Sequence, residues 1–143
     1  DICRMAIQGE PDAELEDMLA DIEEIQQASM KPIKAGVMGS EVYREAEARL
    51  SRSKYHNNMH FLGHGMGLVS HEAPRLTKTG PVPYDDYDAH RPLEAGMVIS
   101  VETTLQHPKR GFIKLEDTAV VTATGCDIYG DGARGWNRGG TAA

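Results

Sequence analysis

Cysteine is scarce in this chain, and its two copies, Cys3 and Cys126, stand far apart with no CxxC spacing. Closely spaced thiols are the usual sign of a redox pair or a thiolate zinc site, so neither kind of site is indicated. Free cysteine is most often a small packing residue, and we expect that role for both.

Basic residues are in the minority. Lys and Arg total 15 against 22 Asp and Glu, which gives a net charge of −7, and they are scattered along the chain instead of forming a stripe. Such a chain lacks the electrostatic footprint of a nucleic-acid-binding protein. No apolar run approaches the roughly 18 residues that span a bilayer. We therefore expect neither a nucleic acid nor a membrane as partner, and a cytoplasmic location.

The composition is that of a folded domain, with 40% hydrophobic and 26% charged residues in a length of 143. These values are ordinary for one globular domain. Because the chain begins at Asp1 without an initiator Met, we expect residues 1–128 to be a partial domain, cut on its N-terminal side. Residues 129–143, which are rich in Gly around Trp136, are expected to form an irregular tail.

The first part of the chain has helical periodicity. From Asp12 to Met30, apolar residues recur at three- and four-residue intervals, which predicts an amphipathic helix. After the turn KPIKAGV, Ser40 offers an N-cap for a second helix that runs to Leu50. From Tyr55 onward, short apolar stretches alternate with Gly, His and Pro, which is typical of strands and loops.

A hairpin is predicted around the turn signal HPKRG. The segments Met97 to Glu102 and Phe112 to Thr122 flank it and are rich in β-branched residues. Residues that face each other across a hairpin have positions with a constant sum, and Glu102 and Glu116 centre on Lys109, inside the turn. We therefore expect the two glutamates to lie opposite each other, with Cβ atoms about 5 Å apart.

Two facing carboxylates on apolar strands need a compensating cation, a shared proton or a solvent-exposed face. A bound metal ion meets this need best. In the alternative, both side chains point into water. Lys114 lies two residues from Glu116 on the same face of the strand and would neutralise part of the charge.

The segment HFLGHGMGLVSHEAP places His60, His64 and His71 among glycines at positions 63, 65 and 67. These glycines allow close backbone approach and unusual dihedrals, which suits a strand edge bent around a ligand. Each histidine alone would more often be structural, but together with two glutamates they indicate a metal site. Imidazole and carboxylate donors without thiolates favour manganese, iron or cobalt, and they also suit zinc.

Three longer motifs occur in the order GHGMGLVSHEAP, PLEAGMVISVE and IKLEDTAVVTATG. Together with DICR at the start, they resemble the pita-bread metallopeptidases, a family that includes Xaa-Pro aminopeptidase, prolidase and methionine aminopeptidase. The resemblance extends over most of residues 1–125. It implies an α+β chain that forms the C-terminal portion of the pita-bread fold, a curved antiparallel sheet with flanking helices.

In that family five residues hold two metal ions, and four of them have counterparts here. These are Asp1, His64, Glu102 and Glu116. By the resemblance, Asp1 and Glu116 would bridge the ions, and His64 and Glu102 would bind the same ion as each other. The fifth residue, an aspartate, would precede residue 1. The implied cofactor is a pair of divalent ions, manganese being favoured among manganese, cobalt, iron and zinc.

The implied reaction is hydrolysis of a peptide bond by a metal-bridged hydroxide, either before a proline near the N-terminus or within an Xaa-Pro dipeptide. Glu102 would relay a proton, and His60 and His71 would contact the substrate at the scissile carbonyl. Lys114, expected to contact the substrate, stands where most relatives have Arg, and Thr103 stands where they have Pro. We expect a homodimer when the protein is full length, and little or no activity from this chain alone.

The same fold hosts other chemistry. Creatinase hydrolyses a small C–N bond without metal, a lyase cleaves a sulfonium compound, and inactive relatives serve as binding modules. The KLED sequence is similar to that of the lyase, whereas the HE pair at His71 favours a peptidase. We therefore predict a metallopeptidase, with a small-molecule enzyme as the alternative and an inactive binding module third.

Overall fold

The computed structural model describes residues 1–78 and 85–140 and shows two helices against an antiparallel sheet. The helices are α1 (Ala13–Met30) and α2 (Gly39–Leu50), and a single 3₁₀ turn occupies His56–Asn58. The strands are β1 (Ala6–Ile7), β2 (Met59–Gly65), β3 (Glu72–Arg75), β4 (Val98–His107), β5 (Gly111–Val121), β6 (Cys126–Tyr129) and β7 (Asn137–Arg138). In the described residues no helix is both long and apolar enough to cross a membrane.

Helix α1 begins where the sequence predicts it. The side chain of Asp12 caps the helix by accepting a hydrogen bond from the backbone N–H of Leu15 at 3.0 Å. For α2 the predicted cap is wrong, because Ser40 lies inside the helix and Met38 is the N-cap. The N–H groups of Gly39 and Ser40 donate to backbone carbonyls of residues 91 and 89, so this helix start needs no side-chain cap.

The main sheet has five strands in the order β3-β2-β4-β5-β6, and all neighbours are antiparallel. The predicted hairpin is the β4–β5 pair, and β4 continues to His107, well past the expected end at Glu102. The added residues include Thr103 and Thr104, whose polar character masked the strand signal although both are β-branched.

One face of this sheet packs against the helices, and the apolar side chains of alternate strand residues form the core there. The core includes Met18, Ile22 and Ile25 of α1, Val42 and Ala46 of α2, and Ile99, Val101, Leu105, Ile113 and Leu115 of the sheet. The opposite face of the sheet is left for the polar residues described below.

The two ends of the described chain meet in a small parallel sheet, in which β1 pairs with β7. Residues 130–136 have no helix or strand, as expected for a tail, but Trp136 Nε1 donates to the carbonyl of Leu15 at 3.1 Å. The segment is thus docked on the rest of the molecule, and residues 141–143 of it lie outside the described residues. The boundary predicted between residues 128 and 129 stays a prediction.

Candidate functional site

The candidate site lies on the sheet face that points away from the helices. Directly paired residues of an antiparallel ladder lie on the same face of the sheet, so the register identifies the residues that share this one. Three successive rows cross β2, β4 and β5: His60, Thr104 and Lys114; Leu62, Glu102 and Glu116; and His64, Ser100 and Thr118. Every candidate that the sequence placed on these three strands is on this face.

Glu102 and Glu116 are directly paired across β4 and β5, which confirms the register predicted from the turn. Both are buried, at 5% exposure each, so the alternative of a solvent-exposed face is wrong. The ammonium group of Lys114 contacts Glu102 Oε2 and lies 3.0 Å from Glu116 Oε2. Lys114 is thus a counter-charge shared by both glutamates.

These contacts keep Glu116 and Lys114 in their charged forms. Burial alone raises the pKa of Glu116, but the hydrogen bond from Ser100 and the ion pair with Lys114 outweigh burial and hold the pKa below its ordinary value. Burial alone lowers the pKa of Lys114, but its bonds to Glu102 and Glu116 outweigh burial and raise it. Glu116 and Lys114 are therefore both charged at neutral pH.

His64 presents an available nitrogen to this site. Its ring is fully buried, and Nδ1 lies 3.0 Å from the carbonyl oxygen of Gly65, a contact that requires Nδ1 to carry the proton. Nε2 then holds the lone pair and has no hydrogen-bond partner among the described residues. Its distance to Glu116 Oε1 is 3.7 Å, too long for a hydrogen bond. A cation between the Nε2 lone pair and the carboxylate oxygen of Glu116 would be bound by both atoms. The two donors therefore suit a divalent metal ion.

Two of the glycines around His64 allow close contacts, and at Gly65 the contact is between two backbone segments. A β-carbon on Gly65 would lie 1.9 Å from the carbonyl oxygen of Ala73, and one on Gly67 would lie 2.1 Å from Glu72 Oε1. The pairing of β2 with β3 shifts register between His64 and Gly65. The expected close backbone approach is confirmed at Gly65, whereas the near atom at Gly67 belongs to a side chain, and neither position nor Gly63 has a positive φ.

His71 lies beside His64, with ring centroids 4.2 Å apart, and it is exposed. One potential ligand atom from each of Asp1, His64 and His71 can be chosen so that all three lie within 4.8 Å of one another. His60 is half-buried one row beyond the glutamates, and burial lowers its pKa more than Glu102 raises it. The structure thus gathers Asp1 with two histidines, and both glutamates with Lys114, on one sheet face.

Three supporting residues were missed by the sequence reasoning. Ser100 Oγ donates to Glu116 Oε1 at 2.8 Å, and Thr118 Oγ1 donates to the backbone carbonyl of Asp1 at 2.6 Å. Arg4 donates to the backbone carbonyl of Glu116 at 2.8 Å. Ser100 and Thr118 stand two residues from a glutamate, so the strand alternation already contained the signal for them.

A buried polar chain lies behind the glutamates, on the helix side of the sheet. Gln26 Nε2 of α1 donates to the carbonyl of Val101 at 2.6 Å and to Asp117 Oδ2 at 2.9 Å. Gln26 Oε1 accepts from Thr103 Oγ1 at 2.8 Å. Gln26 therefore binds both neighbours of Glu102 and one neighbour of Glu116.

Sequence comparison finds peptidases. The profile of metallopeptidase family M24 matches residues 1–123. The chain is 32% identical over 128 residues to an Xaa-Pro dipeptidase of Pyrococcus horikoshii, and 31% identical over 126 residues to one of Pyrococcus furiosus. Each alignment covers 87% of this chain, but 33% and 34% of the two relatives. The chain thus spans about a third of the length of these relatives.

Structural comparison agrees with this result. An X-Pro aminopeptidase from Thermotoga maritima superposes with a TM-score of 0.84 at 28% identity, over 97% of this chain and 37% of the other. A prolidase from Pyrococcus furiosus superposes with a TM-score of 0.75 at 30% identity, over 89% of this chain and 35% of the other. The predicted fold class, part of a pita-bread domain, is confirmed.

Proposed function

The chain belongs to metallopeptidase family M24, and on that premise we propose that the protein containing it is a divalent-metal-dependent peptidase that cleaves Xaa-Pro bonds. The relatives named Xaa-Pro dipeptidase support the substrate class. The chain accounts for about a third of their length, and the remainder of such a protein would contribute to the substrate pocket.

The observation that carries the proposal is the convergence of His64 with the paired glutamates on one buried face. His64 turns an unpartnered Nε2 toward Glu116, which lies directly opposite Glu102. Buried polar atoms without partners are uncommon, and this one sits beside carboxylate oxygens. Mixed imidazole and carboxylate donors are the kind of set that divalent manganese, iron, cobalt and zinc accept.

In the proposed site Asp1, His64, Glu102 and Glu116 hold metal, and a further carboxylate from elsewhere in the protein completes a centre for two ions, for which we favour manganese. Such a centre supplies Lewis-acid polarisation and a nucleophile at neutral pH. Ser100 fixes the Glu116 carboxylate through its 2.8 Å hydrogen bond. This bond restricts the orientation of the carboxylate before an ion binds, so less conformational freedom is lost on binding.

The other candidate residues would act on the substrate. We propose that His60 and His71 contact the peptide near the scissile carbonyl, and that Glu102 accepts and returns a proton. His60 suits a hydrogen-bonding role because partial burial lowers its pKa and so favours the neutral ring. The ammonium group of Lys114 contacts both glutamates. To contact the substrate, it would have to bind the substrate and the glutamates together or break its contacts with the glutamates.

The proposal is tested on the full-length protein, stripped of metal by a chelator and reloaded with Mn²⁺. We expect hydrolysis of Xaa-Pro dipeptides or of peptides with proline in the second position, and little hydrolysis of the matching alanine peptides. His64→Ala should lower the turnover by roughly 100-fold or more, because it removes a proposed metal ligand. His56→Ala is the matched control, since His56 bonds Ser53 outside the site, and it should keep normal turnover.

Loaded protein that turns over no proline peptide but cleaves a small C–N or sulfonium compound would favour the alternative instead. The homodimer, the cytoplasmic location and the low activity of this chain alone stay predictions.

A further inference from the structure

The glutamate pair and the histidine pair on this sheet face differ in their charge balance. The glutamates already have a cation, because Lys114 contacts Glu102 and lies 3.0 Å from Glu116 Oε2. The histidine pair has Asp1 beside it, and within residues 1–78 and 85–140 Nε2 of His64 has no hydrogen-bond partner. An arriving metal ion would have to displace the lysine from the glutamates, but it would find an available nitrogen at His64.

Asp1, His64 and His71 form a compact set of donors. Their potential ligand atoms lie within 4.8 Å of one another, a spacing that small side-chain rotations bring to one ion. Two imidazoles and one carboxylate form a common set of protein ligands for divalent iron, cobalt, manganese or zinc. His64 is fully buried and aims its unpartnered Nε2 into this set, so the set does not consist of surface groups alone.

The ring of His64 and the backbone of Asp1 are held in place, and His71 is open to solvent. His64 is oriented by its contact with the Gly65 carbonyl at 3.0 Å. The backbone of Asp1 is held by Thr118 Oγ1, which donates to the Asp1 carbonyl at 2.6 Å. His71 is exposed on the segment between β2 and β3, so an ion coming from water can meet its ring before it reaches His64.

We propose that His71 is a metal ligand, and that a first divalent ion binds to Asp1, His64 and His71 while Lys114 still pairs with Glu102 and Glu116. The inference rests on the proposed function, because it concerns the same metal centre. It gives His71 a second role beside the substrate contact proposed above. The glutamates become ligands only when Lys114 leaves them, so the two halves of the centre fill in order.

The test counts the imidazoles on the first ion. The full-length protein, freed of metal, receives less than one equivalent of Cu²⁺ as a probe, and pulsed electron paramagnetic resonance detects the remote nitrogens of bound imidazole rings. We expect two coordinated imidazoles in the unaltered protein and one in His71→Ala. The affinity for a first Mn²⁺, measured by calorimetry, should fall by at least about tenfold in His71→Ala.

His60→Ala is the matched control, because His60 lies on the same face but outside the donor set, and it should leave both the imidazole count and the Mn²⁺ affinity unchanged. One imidazole in the unaltered protein, with equal Mn²⁺ affinity in His71→Ala, would overturn the inference and leave the proposed peptidase intact. Two imidazoles in a protein that hydrolyses no Xaa-Pro peptide would support the inference and sink the proposed function.

Discussion

Glu102 lies directly opposite Glu116 across the β4–β5 hairpin, and both carboxylates are held at 5% exposure. Two carboxylates at this spacing repel each other. In the part of the chain that the structure describes, the ammonium group of Lys114 supplies the compensating positive charge. In the proposed metal site, metal binding and folding would be coupled through one lysine, because a metal ion and that ammonium group would stabilise the same two carboxylates.

Replacing Lys114 by Met should destabilise the metal-free protein and matter less when metal is bound. The change leaves two buried carboxylates without a counter-charge, which we expect to cost roughly 2 kcal/mol in the free energy of unfolding. Urea unfolding in the presence of a chelator measures this loss, and saturating Mn²⁺ should recover most of it.

Lys78→Met is the control for this prediction, because Lys78 pairs with Asp86 at 3.3 Å and its side chain is 70% exposed. Exposed ion pairs contribute little, so the control should change the free energy of unfolding by less than about 0.5 kcal/mol. An equal loss with and without Mn²⁺ in Lys114→Met would show that metal and lysine do not share the carboxylates.

The main features of the site followed from the sequence because they depend on local rules. The facing of Glu102 and Glu116 needs only the position of the turn, and helix α1 needs only its apolar period. The contact of His71 with His64 could not be predicted, because it depends on how the segment between β2 and β3 closes. The family resemblance assigned a role to each ring but gave no distance between them.

Gln26 shows why the supporting contacts were missed. It stands among Ile22 and Ile25 on the buried side of α1, where the helical period alone would place an apolar residue. Its partners Val101 and Asp117 are 75 and 91 positions away along the chain. A buried amide without a visible local partner was a signal that some distant polar group must bind it, but nothing in the sequence identified that group.

Gln26→Leu should destabilise the protein by about 1–3 kcal/mol, because it leaves the hydroxyl of Thr103 and the carbonyl of Val101 without their partner. Adding Thr103→Val should cost less than the sum of the two single changes, since both remove the same hydrogen bond. A double-mutant cycle from urea unfolding measures this coupling. The control is Gln27→Leu, whose amide bonds the Glu23 carboxylate on the same helix, and it should change stability little.

Asp117 should make the protein sensitive to acid. Burial alone raises its pKa, but bonds from Arg134, Gln26 and Arg4 outweigh burial and lower it. Below the ordinary carboxyl pKa of about 3.9, the unfolded state therefore binds more protons than the folded state. The free energy of unfolding should fall as the pH drops through that range and down to the lowered pKa. Unfolding midpoints in urea between about pH 6 and about pH 3 measure this slope.

Two variants distinguish the contribution of Asp117 to this pH dependence from the contributions of other carboxylates. Asp117→Asn should make the slope below about pH 4 shallower, whatever it does to stability at neutral pH. Asp131→Asn is the matched control, because Asp131 contacts the same Arg134 but is 63% exposed, and it should leave the slope unchanged. A slope that is identical in Asp117→Asn and in the unaltered protein would assign the acid sensitivity to other carboxylates whose pKa is lowered, among them the buried Glu116.

Gly65→Ala should damage the site, whereas Gly63→Ala on the same strand should not. A methyl group on Gly65 would lie 1.9 Å from the Ala73 carbonyl oxygen, so β2 and β3 would have to separate, at a cost of about 3 kcal/mol. At Gly63 the nearest atom would be 3.4 Å away, an ordinary contact.

The same separation would move the Gly65 carbonyl that orients the ring of His64, so Gly65→Ala should also weaken Mn²⁺ binding in calorimetry, by about tenfold. Stability and affinity falling together in Gly65→Ala, with both kept in Gly63→Ala, would show that the close approach of β2 and β3 positions the histidine. Loss of stability with unchanged affinity would mean that the ring of His64 keeps its orientation without that carbonyl.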